Sequence, residues 1–286
     1  MRFVTYRGAD GKVGAGVVRD GTVVSLEPAG FPDLLTLIRG GEQALAAARR
    51  WLESAPESAV TPLAEAQLLA PIPRPPKIIC IGLNYRDHAA ETGKTVEKIP
   101  TVFAKFPTAV IGPGANIVLP KASTKPDYEA ELAFVIGTGG RYIQASEWRR
   151  HVFGYTAFND VSARDFQMAT TQWMMGKTFD TFAPMGPWIV TEDEIPDPHA
   201  LDISLTLNGV VMQSSNTSNL IFRIPDLIEF LSSVFTLEPG DVVATGTPSG
   251  VGVARKPPVF LKPGDQVTVR IAGVGELTNP VAAESG

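Results

Sequence analysis

Apolar and polar positions alternate along much of the chain. Near the amino terminus RFVTYR, KVGAGVVR and TVVSLEP are separated by the turn signals GADG and RDG, which predicts a small antiparallel meander. The period then changes. FPDLLTLIRGGEQALAAARRWLES carries Leu and Ala at helical spacing, and Gly40-Gly41 is expected to break it into two helices. APIPRPPK, residues 70–77, holds four prolines and so few amide donors that it reads as a semi-rigid linker. A boundary there divides the chain into a small domain, residues 1–70, and a larger one, residues 71–286.

Strand signals dominate the rest: KIICIGL, TVFAKF, EAELAFVIG, WIVT, LDISLTLNGVVMQ, DVVATG and QVTVRIAG. Asn208-Gly209 marks a hairpin turn. LEPGD and LKPGD read as turns before strands. RIPDLIEFLSSVF is the clear amphipathic helix, with Pro225 early in it, where a missing amide does no harm. Many short strands with occasional helices predict an α+β, β-rich fold.

Composition narrows the function classes. The hydrophobic fraction is 44%, enough for a large core, and Gly 27 with Pro 24 suit many tight turns. The net charge is −5 with no basic patch, so no nucleic-acid partner is expected. Cys80 is the single cysteine and lies in the apolar run KIICIGL, so no internal disulfide forms. The N-terminal MRFVTYRGADG lacks a signal-peptide core, and no run reaches the ~18 apolar residues of a membrane helix. The expectation is a soluble, cytoplasmic protein without a membrane partner.

Chemistry is carried by few residues. In DYEAELAFVIG, Glu129 and Glu131 share one strand face, and both faces downstream are apolar. Two carboxylates heading a buried strand repel unless a cation compensates, and oxygen ligands suit Mg²⁺, Mn²⁺ or Ca²⁺. An exposed strand start with two solvated glutamates is the other reading. The apolar run from Val152 to Phe158 ends at Asn159-Asp160, where Asp160 completes a metal triad or merely caps a turn. Lys177 in MMGKTFD is a candidate counter-charge. His88 and Glu91, three apart in GLNYRDHAAETG, meet on a helix as a general-base pair or as a surface pair, with Gly82 and Gly93 flanking them as hinges would. Gly176-Lys177-Thr178 ends like a P-loop but lacks the first glycine. GTPSGVG, residues 246–252, lacks dinucleotide spacing, yet its amides could face an anion, with Thr247 adding a hydroxyl.

In order, GLNYRDHAAE, VFAKFPTAVIGPG, DYEAELAFVIG, FNDVSARDFQ, GKTFDTFAPMGP, LNGVVMQSSNTSNLIF and LEPGDVVATGTPSGVG resemble the fumarylacetoacetate hydrolase family. Residues 1–70 resemble the small N-terminal α+β domain of one bacterial branch. The resemblance implies a mixed β-sandwich roll holding one Mg²⁺ or Mn²⁺ per site. It implies Glu129, Glu131 and Asp160 as metal ligands and His88, Glu91 and Lys177 as catalytic residues. Lys105, Arg164, Gln167 and Thr247 match substrate-binding positions. The implied activity is hydrolysis of a C–C bond in a 2,4-dioxo acid such as an acylpyruvate. The metal would chelate the 2-oxo carboxylate, and the His–Glu pair would activate water. The alternative is a decarboxylase or isomerase of 2-oxo dicarboxylic acids, of the oxaloacetate or 2-oxo-hept-3-ene-1,7-dioate type. A non-catalytic oxo-acid-binding protein stands further off. Family members are usually homodimers, for which RIPDLIEFLSSVF and NLIF could supply an interface or equally be core.

Overall fold

The structure is a computed structural model that describes residues 1–93 and 98–285. Two sheets organise it, of twelve and five strands. The larger is centred on the antiparallel pair Ala130–Ile136 and Val152–Asn159, in which every residue is buried. Ala183–Thr191 flanks this pair on one side. On the other side Val242–Ala244, Ile78–Gly82 and Thr101–Lys105 follow in turn.

The central strand explains the layering. Its period of two sends Leu132, Phe134 and Ile136 to one face and Ala133 and Val135 to the other. The first set packs with Ile203, Leu205, Val267 and Val269 of the five-stranded sheet. The second packs with Leu34, Leu37 and Ile38 of the N-terminal helix Leu34–Arg39. Each fully buried large apolar side chain contributes about 1.5–3 kcal/mol, so the strand that carries the carboxylates is held rigidly from both sides.

The N-terminal meander forms as expected and continues the large sheet, with Phe3 opposite Ile189. The two helices part at Gly40, and Gly41 takes φ +58°. APIPRPPK forms neither helix nor strand, but it is a packed strap: Ala70 and Ile72 are buried, and Thr5 Oγ1 donates to the Pro71 carbonyl at 2.6 Å. Asn208 and Gly209 both adopt positive φ in the expected hairpin turn.

The helix Ile224–Val234 buries Ile224, Leu227, Ile228 and Leu231 in the chain's own core, together with Leu220 of NLIF. Among the described residues no helix is long and apolar enough to cross a membrane. The strand Gly275–Ala283 was not legible, because Pro280 and Asn279 interrupt its alternation.

Candidate active site

The antiparallel register assembles the acidic centre. Ala130 lies opposite Asn159 and Glu131 opposite Phe158. Glu129 and Asp160 thus face each other just beyond the paired residues, where the Asp160 amide donates to the Glu129 carbonyl at 2.9 Å. Oxygen atoms of Glu129, Glu131 and Asp160 lie within 4.8 Å of one another, and all three residues are buried.

Three cations answer these carboxylates, none of them matched to Glu131. Lys177 Nζ donates to Glu129 Oε2 at 2.6 Å and to Asp160 Oδ2 at 2.8 Å. Lys105 Nζ donates to Asp160 Oδ1 at 2.5 Å and to the Val161 carbonyl at 3.0 Å. Arg164 Nη1 pairs with Glu129 Oε1 at 2.7 Å, and its Nε donates to Asp127 Oδ2 at 2.8 Å. Asp127, Glu129, Glu131 and Asp160 therefore set four carboxyl groups against three cations.

Among the described residues Glu131 accepts only the Gly246 amide, at 2.8 Å. Burial, then the charges of Asp160 and Glu129, push its carboxyl well above the usual range. Burial acts the same way on Glu129, but Lys177 and Arg164 reverse it and hold that carboxyl at about 2. Burial works against the Lys177 ammonium, while Asp160 and Glu129 raise it above the ordinary lysine value. The donor set is all carboxyl oxygen, and one of its carboxyls is matched by no cation among the described residues. It fits a hard divalent cation such as Mg²⁺ or Mn²⁺.

The helix Arg86–Thr92 brings His88 and Glu91 over this centre, with His88 Nδ1 3.3 Å from Glu91 Oε2. That contact leaves Nε2 as the ring nitrogen available to the cavity. The helix is tied down at its start. Asn84 Nδ2 donates to the Phe222 and Thr245 carbonyls at 2.9 and 2.8 Å, and Ser215 Oγ donates to Asp87 Oδ2 at 2.6 Å. Gly82 is a strand residue paired with Thr101. A Cβ there would lie 2.4 Å from the Trp173 ring, so close packing, not hinging, accounts for this glycine.

The loop 246–252 does present amides to anions, and the anions are the protein's own carboxylates. Gly246 N donates to Glu131, Gly250 N to Glu91 at 3.0 Å, and Gly252 N to Asp127 at 2.8 Å. Gly246 and Gly250 have φ of +103° and +99°. A side chain at Gly250 would also meet the Met212 carbonyl at 2.1 Å.

A cavity of about 310 Å³ opens over these groups. His88, Glu91, Glu129, Glu131 and Lys177 line its polar side, with Arg164, Gln167 and Thr247 beside them. Ile81, Leu83, Phe103, Met168, Trp173 and Val251 line the apolar side. Asp160 and Lys105 lie behind this lining, each with a fully buried side chain. Lys105, which the resemblance places at the substrate, donates to the Asp160 carboxylate and the Val161 carbonyl.

Sequence reasoning passed over two residues. Asp127 holds Arg164 from behind. Gln213 accepts the Ala130 amide at 2.9 Å and donates to Thr247 Oγ1 at 2.8 Å, which leaves the threonine hydroxyl free to donate.

A family profile described as fumarylacetoacetate (FAA) hydrolase C-terminal matches residues 77–282. The chain belongs to the fumarylacetoacetate hydrolase family. It is an enzyme of that family, with the β-rich α+β fold expected of it. The mitochondrial oxaloacetate tautomerase FAHD2A of Bos taurus is 46% identical over 278 residues, 96% of this chain and 87% of that protein.

Two solved structures cover 100% of both chains. The 2-hydroxyhepta-2,4-diene-1,7-dioate isomerase from Mycobacterium marinum has 34% identity and a TM-score of 0.79. The maleylpyruvate hydrolase from Sphingobium sp. SYK-6, in complex with manganese(II) and pyruvate, has 33% identity and a TM-score of 0.84. These relatives correct two expectations. The cytoplasmic placement is overturned, because the bovine relative is a mitochondrial protein by name. Placement in a bacterial branch is too narrow for a chain this similar to a bovine enzyme.

Proposed function

We propose that this enzyme moves a proton on a 2-oxo dicarboxylic acid of the oxaloacetate type, interconverting its keto and enol forms. The observation that carries the reading is the convergence on one cavity of a buried acidic triad, a His–Glu pair and a lysine ammonium. The bovine oxaloacetate tautomerase, 46% identical across nearly the whole chain, supports the choice of chemistry.

Glu129, Glu131 and Asp160 would hold Mg²⁺ or Mn²⁺. Bound there, such an ion polarises a carbonyl oxygen as a Lewis acid. The remaining work falls to the chain's own side chains. Glu91, fixed by the Gly250 amide, orients His88 so that Nε2 exchanges a proton with the carbon beside the 2-oxo group. Lys177, kept protonated between Glu129 and Asp160, offers positive charge to the enolate oxygen. Thr247, accepting from Gln213, donates its hydroxyl hydrogen to a substrate oxygen. The apolar wall keeps bulk water from the carbanion.

A second reading is C–C hydrolysis of a 2,4-dioxo acid, in which His88 takes its proton from water instead. The maleylpyruvate hydrolase with manganese(II) and pyruvate favours it.

Ultraviolet absorbance of the oxaloacetate enol, followed with Mg²⁺ and set beside an acylpyruvate panel, tests the choice. We expect faster enol–keto exchange than in buffer, slowed by roughly 10²–10⁴ in His88→Ala with metal affinity retained. Parent enzyme that leaves the exchange rate at the buffer value refutes the tautomerase reading.

A further inference from the structure

Asp127 takes no part in the chemistry above, yet it is fully buried and makes more polar contacts than any ligand carboxylate. Its Oδ1 accepts the Tyr128 and Gly252 amides, each at 2.8 Å. Its Oδ2 accepts the Val253 amide at 2.9 Å and Arg164 Nε at 2.8 Å. An ionised carboxylate offers about four lone-pair sites, and here all are used by donors. No neutral amide can replace it, because the NH₂ of an asparagine would face N–H groups whichever way it turned.

Two partners of Asp127 line the cavity, Val253 and Arg164, and of these Arg164 brings the charge. Its Nε is fixed by Asp127, and its Nη1 is shared between Glu129 and Gln167 Oε1. Its Nη2 is buried and has no hydrogen-bond partner among the described residues. A buried donor left unpaired is costly, and a planar guanidinium with two corners fixed cannot turn to relieve it. The other lysine or arginine among the described residues lining the cavity is Lys177, whose ammonium is already held by Glu129 and Asp160.

We infer that Asp127 is a positioning residue that sets substrate class: it locks the Arg164 guanidinium so that Nη2 receives the second carboxylate of a 2-oxo dicarboxylic acid. The inference rests on the oxo-acid reading given above and narrows it. A monocarboxylic 2-oxo acid lacks the group that Nη2 requires, so it gains nothing from the lock. Because the Gly252 and Val253 amides share the same carboxylate, the guanidinium is fixed to the loop that also holds Glu91.

Calorimetric titration of the Mg²⁺-loaded enzyme with oxaloacetate and with pyruvate tests this. Parent enzyme should prefer oxaloacetate. Asp127→Asn should weaken oxaloacetate by roughly 10-fold or more, as losing an oriented charge-assisted contact does. Pyruvate and Mg²⁺ should bind within about 3-fold of parent. If Asp127→Asn does not yield folded protein, Arg164→Lys with Asp127 intact must show the same loss of preference for oxaloacetate over pyruvate, compared at saturating Mg²⁺.

Equal weakening of both acids, or oxaloacetate binding unchanged, would overturn the inference. So would a parent enzyme that does not distinguish the two acids. Parent enzyme that binds oxaloacetate selectively without exchanging its enol and keto forms defeats the activity proposed above and leaves the binding comparison to decide the role of Asp127.

Discussion

Replacing Lys177 with methionine removes the one ammonium shared by two carboxylates of the triad. The side chain is almost fully buried, and methionine fills much of the same volume, so the change is chiefly one of charge. Lys177 Nζ lies 2.6 Å from Glu129 and 2.8 Å from Asp160. Removing one partner of a buried ion pair costs about 3–5 kcal/mol, because the other is left uncompensated. At roughly 2–3 °C per kcal/mol for a chain of this size, the metal-free Tm should fall by about 6–15 °C. A divalent cation restores the missing positive charge, so saturating Mg²⁺ should recover much of that loss. Metal affinity should be unchanged or tighter, since a repelling charge has gone. Turnover should nevertheless fall by about 10²–10³, the usual effect of removing one donor to a developing oxyanion. Scanning calorimetry in chelator and in Mg²⁺, with initial rates, reads all three effects. A metal-free Tm within ~1 °C of parent, or full activity in the variant, refutes the charge argument.

Three further outcomes follow from the same geometry. The raised Glu131 carboxyl should keep its proton in the metal-free enzyme and lose it on metal binding. Mg²⁺ affinity should therefore climb with pH, with proton release seen by calorimetry in buffers of different ionisation enthalpy, and Glu131→Gln should abolish the release. The folded chain binds this proton more tightly than the unfolded one. The Glu131 contribution to metal-free stability is thus complete below about pH 4.3 and declines as pH rises through the folded value. Gly250→Ala forces a Cβ against the Met212 carbonyl at positive φ, so the amide that fixes Glu91 should shift. Turnover should drop while Mg²⁺ affinity stays level, and a fully active variant argues against that amide. His199 accepts the Ile224 amide at 3.2 Å at the start of a helix, and burial lowers its pKa. That contact should be complete above about pH 6.5 and lost as pH falls. Parent stability measured against His199→Ala should narrow by about 1 kcal/mol between pH 7.5 and 5, and a constant gap counts against the capping role.

What could be read in the chain follows from the range of each contact. A period of two and two apolar strands place Glu129, Glu131 and Asp160 at strand ends, but the choice between a metal and solvent stayed open on those residues alone and came from the resemblance. Asp127 sits at the same spacing, two before Glu129, but Pro126 makes its segment read as a turn. Gln213 lies in a hairpin strand whose neighbours are mostly exposed, and its burial comes from Thr247 and Pro248, more than thirty residues away. Lys105 matched a substrate position and donates to Asp160 from a strand three places out from the central pair in the same sheet, a placement that only the sheet order reveals. The loop 246–252 was legible as an anion holder but not which anions it holds, since Glu91, Asp127 and Glu131 come from three separate segments.

The same distinction explains the candidate metal site. Each acidic residue alone fits an ordinary surface role. Only the packed arrangement shows that Lys105, Arg164 and Lys177 neutralise Asp127, Glu129 and Asp160 and leave Glu131 unmatched. That unmatched carboxyl, buried between two apolar layers and held by the Gly246 amide, ionises at least cost beside a cation, which makes a divalent ion its fitting partner. It also ties the stability of the fold to the chemistry of the cavity above it.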